Sequence, residues 1–342
     1  MEKIKRQILS ALLKEPQSFW RLITLQDGHL ALFTSVMRTM KEDGLLDWGE
    51  TYLRLTREGE KIAAEMNLKP REEIICSCCQ GKGVAREGIF DEVYQRMKEF
   101  KERRPEAISQ FDQGPVDLET LIARLMTMYY RGDLENRRLL VLGDDDLTGL
   151  AAALTGLPEK ITVLEVDKRI VDFTLKTAHQ ESLQGLEAVC YDAREPLPDH
   201  IIDSFDTFFV DPVETVKGIL LFINRCAKSL KGEGAAGYFG LTHLEASRKK
   251  WHLLQRKFLE MNLVITDINR NFQWYELPRE KFIESEYPLV KDAPGKLPVP
   301  KINWYSSDLY RLEAVEFPRE TALEIPEGRE LYFDEEAYAT LP

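Results

Sequence analysis

Long apolar runs, paired cysteines and positive charge are all in short supply in this 342-residue sequence. No run approaches the roughly eighteen consecutive apolar residues that a transmembrane helix needs, so a membrane-bound chain is not predicted. The start of the chain also lacks the uninterrupted apolar core of a signal peptide. Five cysteines, an odd number, fit a reducing compartment better than a disulfide framework. These absences predict a cytoplasmic location.

The charge balance is strongly acidic. Lysine and arginine number 46 against 58 aspartates and glutamates, which gives a net charge of −12. Such a surface disfavours nonspecific nucleic-acid binding and favours solubility or cationic partners. A hydrophobic content of 44% is that of a globular protein with a sizeable core, and the length suits one large domain with a small one, or two domains.

Residues 1–68 are predicted to form a small winged-helix-like domain. Helical patterns cover about 3–14, 18–26 and 30–43, and two short apolar strands follow them. Gly44 fits the position just after the third helix, and Thr56 fits the N-cap of a fourth. The third helix usually reads DNA, but here it carries only Arg38 and Lys41 against two acidic residues. Nucleic-acid binding is therefore not expected, and a structural role or a homodimer is favoured.

Residues 69–115 are predicted to be a connector made of a Cys/Gly turn and a charged helix. Cys76, Cys78 and Cys79 in "CSCCQGKG" are typical of half of a CxxC-type zinc or redox site. Zinc needs a fourth ligand, and no second CxxC lies nearby, so no metal is expected. Cys76 and Cys79 stay as zinc candidates. A zinc shared across a dimer and a glycine-rich turn with incidental thiols are the open alternatives.

From residue 116 to about 316, predicted strands and helices alternate, which indicates an α/β fold with a Rossmann-like, mostly parallel sheet. The seven predicted strands are "RLLVLG", "KITVLEVD", "LEAVCYD", "DTFFVDP", "GAAGYFGL", "LVITDINRNFQWY" and "SSDLYRLEAVE". Residues 317–342 are acidic and contain proline, which predicts a tail or a lid.

Acidic residues follow four consecutive predicted strands. They are Asp144, Asp145 and Asp146 after Gly143, then Glu165 and Asp167, then Asp192, and then Asp211 and Glu214. In open α/β sheets, ligands bind outside the carboxyl ends of the strands. An acidic residue that ends the second strand of a nucleoside-binding fold accepts hydrogen bonds from ribose hydroxyls. Glu165, or alternatively Asp167, is therefore predicted at a ribose, and Asp192 near an adenine amino group.

The turn "GDDDLTG" lacks the glycines of a dinucleotide fingerprint and adds negative charge, which argues against a bound pyrophosphate. Asp144 has an alternative role as a helix cap, with the next two aspartates favoured by the helix dipole. Three adjacent carboxylates are poorly explained that way. Unit charges about 4 Å apart repel by roughly 1 kcal/mol in water and about 4 kcal/mol near a protein surface. The turn thus predicts a cationic nucleoside, such as an S-adenosyl sulfonium compound.

In combination, "LLVLGDDDLTG", "LEVDKRIVDF", "FFVDPVETVKGILLFINR" and "GYFGLTH" resemble the branched-chain polyamine synthases of thermophilic archaea and bacteria. The resemblance covers nearly the whole chain and implies a seven-stranded sheet of the class I methyltransferase and aminopropyltransferase type, preceded by a winged helix. It also implies transfer of aminopropyl groups from decarboxylated S-adenosylmethionine to the N4 amine of spermidine, twice, giving N4-bis(aminopropyl)spermidine and 5′-methylthioadenosine. No further cofactor is implied. One departure is Val213, where the family pattern has a second proline.

The chemistry of this reaction assigns roles to the acidic residues. Asp145 or Asp146 is expected to hold or deprotonate the acceptor nitrogen, because polyamine nitrogens are mostly protonated at neutral pH. Asp211 is expected to act at the reacting centre, as the corresponding residue does in the linear spermidine synthases that this domain also resembles. Gly143 and Asp144 are placed with the donor, and Glu214 with a distal ammonium. Further substrate-binding candidates are Asp112, Gln113, Tyr238 and His243, for which an ordinary turn or a structural role is the alternative.

Two other functions fit parts of the pattern. The first is an S-adenosylmethionine-dependent methyltransferase, which shares the strand order but must hold the carboxylate of methionine. The three aspartates would repel that carboxylate. The second is a winged-helix regulator with a nucleoside-sensing domain, against which the balanced charge of residues 1–68 argues.

Overall fold

The computed structural model describes residues 1–72, 74–285 and 287–340. Its amino-terminal part consists of α1 (Glu2–Lys14), α2 (Phe19–Thr24), α3 (Leu30–Glu42), the strands β1 (Leu46–Trp48) and β2 (Leu53–Leu55), and α4 (Arg57–Glu65). β1 and β2 pair antiparallel as the wing. Gly44 has a φ of 68° directly after α3, and the Thr56 side chain accepts a hydrogen bond from the Gly59 N–H at the start of α4. The order of three helices, a two-stranded wing and a fourth helix agrees with the pattern expected for residues 1–68.

This amino-terminal part packs against the rest of the chain through α3. The Leu30 N–H donates to the carbonyl oxygen of Leu244 over 2.7 Å. Arg38 donates to the Asp292 carbonyl over 2.8 Å, and Lys41 to the Pro294 carbonyl over 2.7 Å. The two basic side chains of the helix that reads DNA in other winged helices therefore bind this chain's own backbone.

A connector and a long sheet complete the chain. The elements that follow α4 are α5 (Ile89–Arg103), α6 (Leu118–Tyr130), β3 (Arg138–Leu142), α7 (Thr148–Thr155), β4 (Lys160–Glu165), α8 (Lys168–Gln180), β5 (Leu186–Cys190), β6 (Thr207–Val210), α9 (Val216–Ser229), β7 (Ala236–Leu241), α10 (Arg248–Glu260), β8 (Leu263–Trp274), α11 (Arg279–Glu284), α12 (Pro288–Asp292) and β9 (Ser306–Ala314).

In the part of the chain that the structure describes, the main sheet has seven strands in the order β5-β4-β3-β6-β7-β9-β8. The pairs from β5 through to β7 are parallel, whereas β9 pairs antiparallel with both β7 and β8. The predicted α/β class and mixed seven-stranded sheet are confirmed. β3 lies between β4 and β6, so the order of the strands reverses beside it, which is where open α/β sheets bind ligands.

Helices cover both faces of the sheet, and the side chains of β3 show this directly. Leu139 and Val141 join the apolar cluster on one face, and Leu140 and Leu142 join the cluster on the other. All four are buried because a strand covered on both faces alternates between two apolar layers. Among the described residues, no helix has the length and apolar character to cross a bilayer.

Candidate active site

A cavity of about 860 Å³ lies at the carboxyl edge of the parallel strands. Its floor is formed where β3, β4, β5 and β6 end, because their registers bring Leu142, Leu164, Cys190 and Val210 to one edge. Of the described residues that line it, ten are acidic and five are basic. The acidic residues are Glu102, Glu106, Asp112, Asp145, Glu165, Asp192, Asp211, Glu214, Glu276 and Glu280. The cavity is therefore suited to a cation.

Asp145 lines this cavity and has one buried carboxylate oxygen. Within the described part of the chain, its Oδ2 atom has no hydrogen-bond partner. Burial raises the pKa of Asp145 well above its ordinary value, and the carboxylates of Asp146 and Glu165 raise it further, whereas Arg104 opposes the shift. The Arg104 guanidinium also donates to the Asp145 backbone carbonyl and so fixes the turn. Asp145 is placed to receive a proton or an ammonium group.

The Asp144 side chain has a different position from that of Asp145. Its carboxylate accepts hydrogen bonds from the Thr148 N–H over 2.5 Å and the Gly149 N–H over 3.0 Å at the start of α7, and it does not line the cavity. Gly149 allows this close approach, since a Cβ there would lie 3.0 Å from Asp144 Oδ2 and 2.3 Å from Val163 Cγ2. We therefore assign Asp144 to the helix cap rather than to donor binding, because its oxygens are occupied by backbone donors.

Asp146 is also turned away from the cavity. Its carboxylate accepts from the Val116 N–H over 2.7 Å and from Arg124 Nη1 over 2.5 Å, and both charged side chains are almost fully buried. A carboxylate held by a buried guanidinium is a poor proton acceptor, because protonation would leave the cation unpaired. The contacts of Asp146 thus do not support it as the base, which leaves Asp145 as the candidate among the three aspartates.

Arg124 joins Asp146 to Asp211. Its Nη2 atom donates to Asp211 Oδ2 over 2.7 Å, while the Tyr275 hydroxyl donates to the same oxygen over 2.8 Å. Burial raises the pKa of Asp211, and Arg124 acts in the opposite direction. Asp211 lines the cavity with its orientation fixed from behind by two side chains, which is the arrangement of a carboxylate positioned at a reacting centre.

Glu165 ends β4 with its carboxylate held by the backbone. Oε2 accepts from the Asp144 N–H over 2.6 Å, and Oε1 accepts from the Asp167 N–H over 2.7 Å. Each carboxylate oxygen retains a lone pair for a further donor, such as a ribose hydroxyl. Glu165 lines the cavity with Gly143, as predicted for residues around a nucleoside.

Asp167 and Asp192 differ in their access to the cavity. Asp167 is bound by Arg169 Nη2 over 2.6 Å and by Gln113 Nε2 over 3.0 Å, and does not line the cavity. We therefore assign Asp167 to fixing Gln113, which does line the cavity. Asp192 lines it directly and pairs with Arg194, whose side chain lowers the Asp192 pKa below its usual value.

The carboxyl-terminal segment closes one side of the cavity. Tyr332, Ala339 and Thr340 are among its lining residues. The segment is anchored by Glu245, whose Oε1 atom accepts from the Ala339 N–H over 2.7 Å and also from the Tyr338 N–H. Glu214 lies on the same side, and its buried Oε2 atom has no partner among the described residues.

The structure places two predicted substrate-binding residues elsewhere. The Tyr238 hydroxyl donates to Asp133 Oδ2 over 2.6 Å, and the Asp133 carbonyl accepts from Thr207, the first residue of β6. Tyr238 therefore points toward the amino edge of the sheet, away from the cavity. His243 is buried against the amino-terminal part near Asp27 and does not line the cavity, and burial lowers its pKa to about 4. Both residues have structural positions.

Three residues of the site were not predicted from the sequence: Arg104, Arg124 and Tyr275. Arg124 is the most informative, because a single arginine in the apolar helix pattern "LETLIARLMTMYY" is buried at 0% exposure. A charge on the apolar face of a helix needs a buried partner. That pattern was the available signal, and the acidic residues after the predicted strands were its candidate partners.

Comparison with known proteins assigns the fold and the site to a family. The model of the branched-chain polyamine synthase A C-terminal domain matches residues 92–339. An N4-bis(aminopropyl)spermidine synthase from Thermococcus kodakarensis is 39% identical over 99% of this chain and 95% of its own length. One from Thermus thermophilus is 41% identical over 88% of this chain and 84% of its own length.

A solved structure extends the similarity to the three-dimensional level. The branched-chain polyamine synthase from Thermus thermophilus, crystallised in complex with N4-aminopropylspermidine and 5′-methylthioadenosine, superposes with a TM-score of 0.87 at 38% identity. The match covers 98% of this chain and 93% of that chain. This chain belongs to the branched-chain polyamine synthase family.

Proposed function

We propose that this protein is an aminopropyltransferase that makes branched-chain polyamines. It transfers aminopropyl groups from decarboxylated S-adenosylmethionine to the N4 amine of spermidine and, in a second round, forms N4-bis(aminopropyl)spermidine. The observation that carries the proposal is a pair of buried carboxylate oxygens, Asp145 Oδ2 and Glu214 Oε2, which have no hydrogen-bond partner among the described residues. Both residues line one acidic cavity. Burying a carboxylate oxygen without a hydrogen-bond donor costs free energy. A polyamine supplies such donors, because it carries ammonium and amine groups at several points along its length.

The donor fits the strand ends beside the Gly143 turn. Glu165 offers lone pairs to ribose hydroxyls, and Asp192 offers them to the adenine amino group. The decarboxylated donor brings a sulfonium cation and an ammonium group but no carboxylate, which suits a cavity lined by an excess of acids. The intact methionine carboxylate of a methyl donor would be repelled there, so the methyltransferase alternative is disfavoured.

The reaction is a displacement at carbon. The N4 lone pair attacks the aminopropyl carbon next to sulfur, the carbon–sulfur bond breaks, and its electron pair stays on sulfur as the neutral thioether of 5′-methylthioadenosine. Because only an unprotonated amine has a free lone pair, Asp145 takes the N4 proton and passes it to solvent. In the second round a tertiary amine becomes a quaternary ammonium, so the only proton to remove is the one that the amine carries on binding.

The remaining groups align the substrates. Asp211, held by Arg124 and Tyr275, faces the reacting centre with a fixed carboxylate, and alignment of this kind contributes strongly to bimolecular reactions. Glu214 and Asp112 hold ammonium groups distal to N4, which sets the nitrogen that reaches the donor carbon.

A homodimer remains part of the proposal, tested by measuring the mass of the protein in solution by light scattering.

The direct test is incubation with decarboxylated S-adenosylmethionine and spermidine, followed by mass spectrometry. The expected products are N4-aminopropylspermidine, then N4-bis(aminopropyl)spermidine, with one 5′-methylthioadenosine released for each aminopropyl group transferred. A parallel incubation with S-adenosylmethionine is expected to give no methylated polyamine. Methyl transfer without aminopropyl transfer would overturn the proposal.

Replacing Glu165 with glutamine is expected to weaken binding of 5′-methylthioadenosine. Hydrogen bonds to a charged group contribute about 1.5–3 kcal/mol, which corresponds to roughly tenfold to a hundredfold in affinity. Isothermal titration calorimetry measures the change. Glu187→Gln is the matched control, since Glu187 lies on the neighbouring strand β5 and binds Lys160 and Thr162 instead of the cavity. Equal affinity in the Glu165 variant and the wild type would remove Glu165 from the donor site.

Replacing Asp112 with asparagine is expected to change how stability depends on pH. Burial raises the pKa of Asp112 to about 8, and the nearby Glu245 adds to the shift. In the unfolded chain an aspartate has a pKa of about 3.9. Between the two pKa values the folded chain binds more protons than the unfolded chain, so the folded chain loses stability as the pH rises. The variant is expected to lose less stability across this window than the wild type, measured by urea unfolding at a series of pH values.

Asp172 provides the control for this experiment because it is an exposed carboxylate on α8 that pairs with Lys168. Asp172→Asn is expected to keep the wild-type pH dependence. Saturating spermidine is expected to reduce the difference between wild type and the Asp112 variant at the alkaline end, because a bound ammonium compensates the ionised carboxylate. An Asp112 variant whose stability falls with pH as steeply as that of the wild type would contradict the assignment.

A further inference from the structure

Three thiols converge outside the active-site cavity, on the turn that joins the amino-terminal part to α5. The Sγ atoms of Cys76, Cys78 and Cys79 all lie within 4.8 Å of one another, and those of Cys76 and Cys78 are 3.0 Å apart. Cys76 and Cys78 are exposed, and Cys79 is half-buried. None of them lines the cavity, so the proposed aminopropyl transfer does not use them.

The backbone of this turn is tight. After the last cysteine, Gln80, Gly81 and Gly83 have φ values of 50°, 83° and 75°, and the Lys82 N–H donates to the Cys79 carbonyl over 2.8 Å. Positive φ values of this kind are adopted by glycine without strain, so the two glycines permit the tight turn directly after the three cysteines.

The turn is also fixed to the catalytic part of the chain. The Lys82 side chain is buried, and its Nζ atom donates to the Phe272 carbonyl over 2.5 Å and to Thr120 Oγ1 over 3.3 Å. Phe272 belongs to β8, and Thr120 belongs to α6, the helix that carries Arg124. The hydrogen bonds of Lys82 therefore anchor the turn that carries the three thiols to β8 and α6.

We infer that Cys76, Cys78 and Cys79 bind one soft divalent metal ion, of which Zn²⁺ is the representative, through three thiolates. Zinc–thiolate bonds are about 2.3 Å long, so tetrahedral coordination places sulfur atoms about 3.8 Å apart. The observed group needs only small side-chain rotations to reach that spacing. Among the described residues, no fourth histidine, cysteine or carboxylate joins the group, so water fills the fourth position.

The ion is expected to act on structure, because the turn lies outside the cavity and is linked to α6 through Lys82. Binding three ligands within four residues orders the turn, and a ligand that binds only the folded form raises the unfolding temperature. This inference is independent of the proposed aminopropyl transfer, since its measurements do not depend on catalytic turnover.

The test uses the full chain, reduced and freed of metal, with Zn²⁺ or Co²⁺ alone as the probe. We expect one ion per chain by competition with a chromophoric chelator, and a thiolate-to-cobalt charge-transfer band with the visible bands of tetrahedral Co²⁺. Serine variants of each of the three cysteines are expected to lower the affinity for Zn²⁺ by more than about a hundredfold, since even the loss of an outer-shell partner costs tenfold to a hundredfold. Cys190→Ser is the matched control, because Cys190 is an exposed cysteine elsewhere, and it is expected to keep the wild-type affinity.

A second measurement needs no variants. Zn²⁺ is expected to protect Cys76, Cys78 and Cys79 of the wild-type protein from alkylation while Cys190 reacts, as read by peptide mass spectrometry. One ion per two chains would overturn the inference in favour of a site shared between copies. Protection of only two thiols, or a disulfide in the turn without bound metal, would also overturn it.

Discussion

Asp145→Asn is expected to lower kcat/KM for spermidine by about 10²–10⁴-fold, the usual contribution of a positioned general base. Asparagine keeps the shape of the side chain but cannot take the N4 proton. The buried Oδ2 atom of Asp145 has no partner among the described residues, so the substitution breaks no protein hydrogen bond at that atom. The chain should therefore stay folded while turnover falls, as measured by release of 5′-methylthioadenosine and by circular dichroism.

The pH profile separates a base from a residue that only holds the substrate. Because burial and neighbouring carboxylates raise the pKa of Asp145, the ionised form of the empty site is lost as the pH falls, well before an ordinary aspartate would protonate. The wild type is expected to show an acidic limb in kcat/KM, and the Asn variant is expected to lose that limb together with its activity. Asp172→Asn, on the exposed surface of α8, serves as the control and should match the wild type. Near-normal turnover in the Asp145 variant would contradict the assignment of Asp145 as the general base.

The Gly143–Asp146 turn could be predicted only in part from the sequence. The strand ends and their acids could be predicted because apolar runs and the residues after them are local features, and parallel strands bring their ends to one edge. The division of labour among the three aspartates could not. Asp144 meets the first backbone N–H groups of its own helix, whereas Asp146 meets a side chain 22 residues earlier, and no spacing rule distinguishes the two.

The two substrate-binding predictions that the structure does not support failed for related reasons. Tyr238 lies in the middle of β7, and its hydroxyl donates to Asp133, which also accepts from Arg311. His243 does follow the strand end, but the amino-terminal part covers it, and that packing depends on contacts between residues more than two hundred positions apart, such as Leu30 with Leu244. Long-range packing of this kind leaves no periodic signal in one sequence.

Replacing Arg124 is the other change with a large expected effect, because its guanidinium neutralises the buried carboxylates around it. Its side chain is 0% exposed and contacts Asp146, Asp211 and Gln273, with the guanidinium carbon 4.5 Å from the centre of the Phe209 ring. Removing one partner of a buried ion pair leaves an uncompensated charge and costs about 3–5 kcal/mol. Arg124→Met keeps an unbranched apolar side chain but lacks the guanidinium, so the cost combines the loss of the electrostatic network with a loss of packing against Phe209.

We therefore expect Arg124→Met to lower the free energy of unfolding by about 3–5 kcal/mol at neutral pH, measured by urea denaturation. Arg131→Met, at the end of the same helix, is the matched control. Its partly exposed pair with Asp267 is expected to contribute less than about 1 kcal/mol. Adding Asp146→Asn to the Arg124 variant should restore part of the loss, because the buried negative charge is then removed as well. If the double variant is less stable by the sum of the two single losses, Arg124 does not act by neutralising Asp146, since independent sites are additive and coupled ones are not.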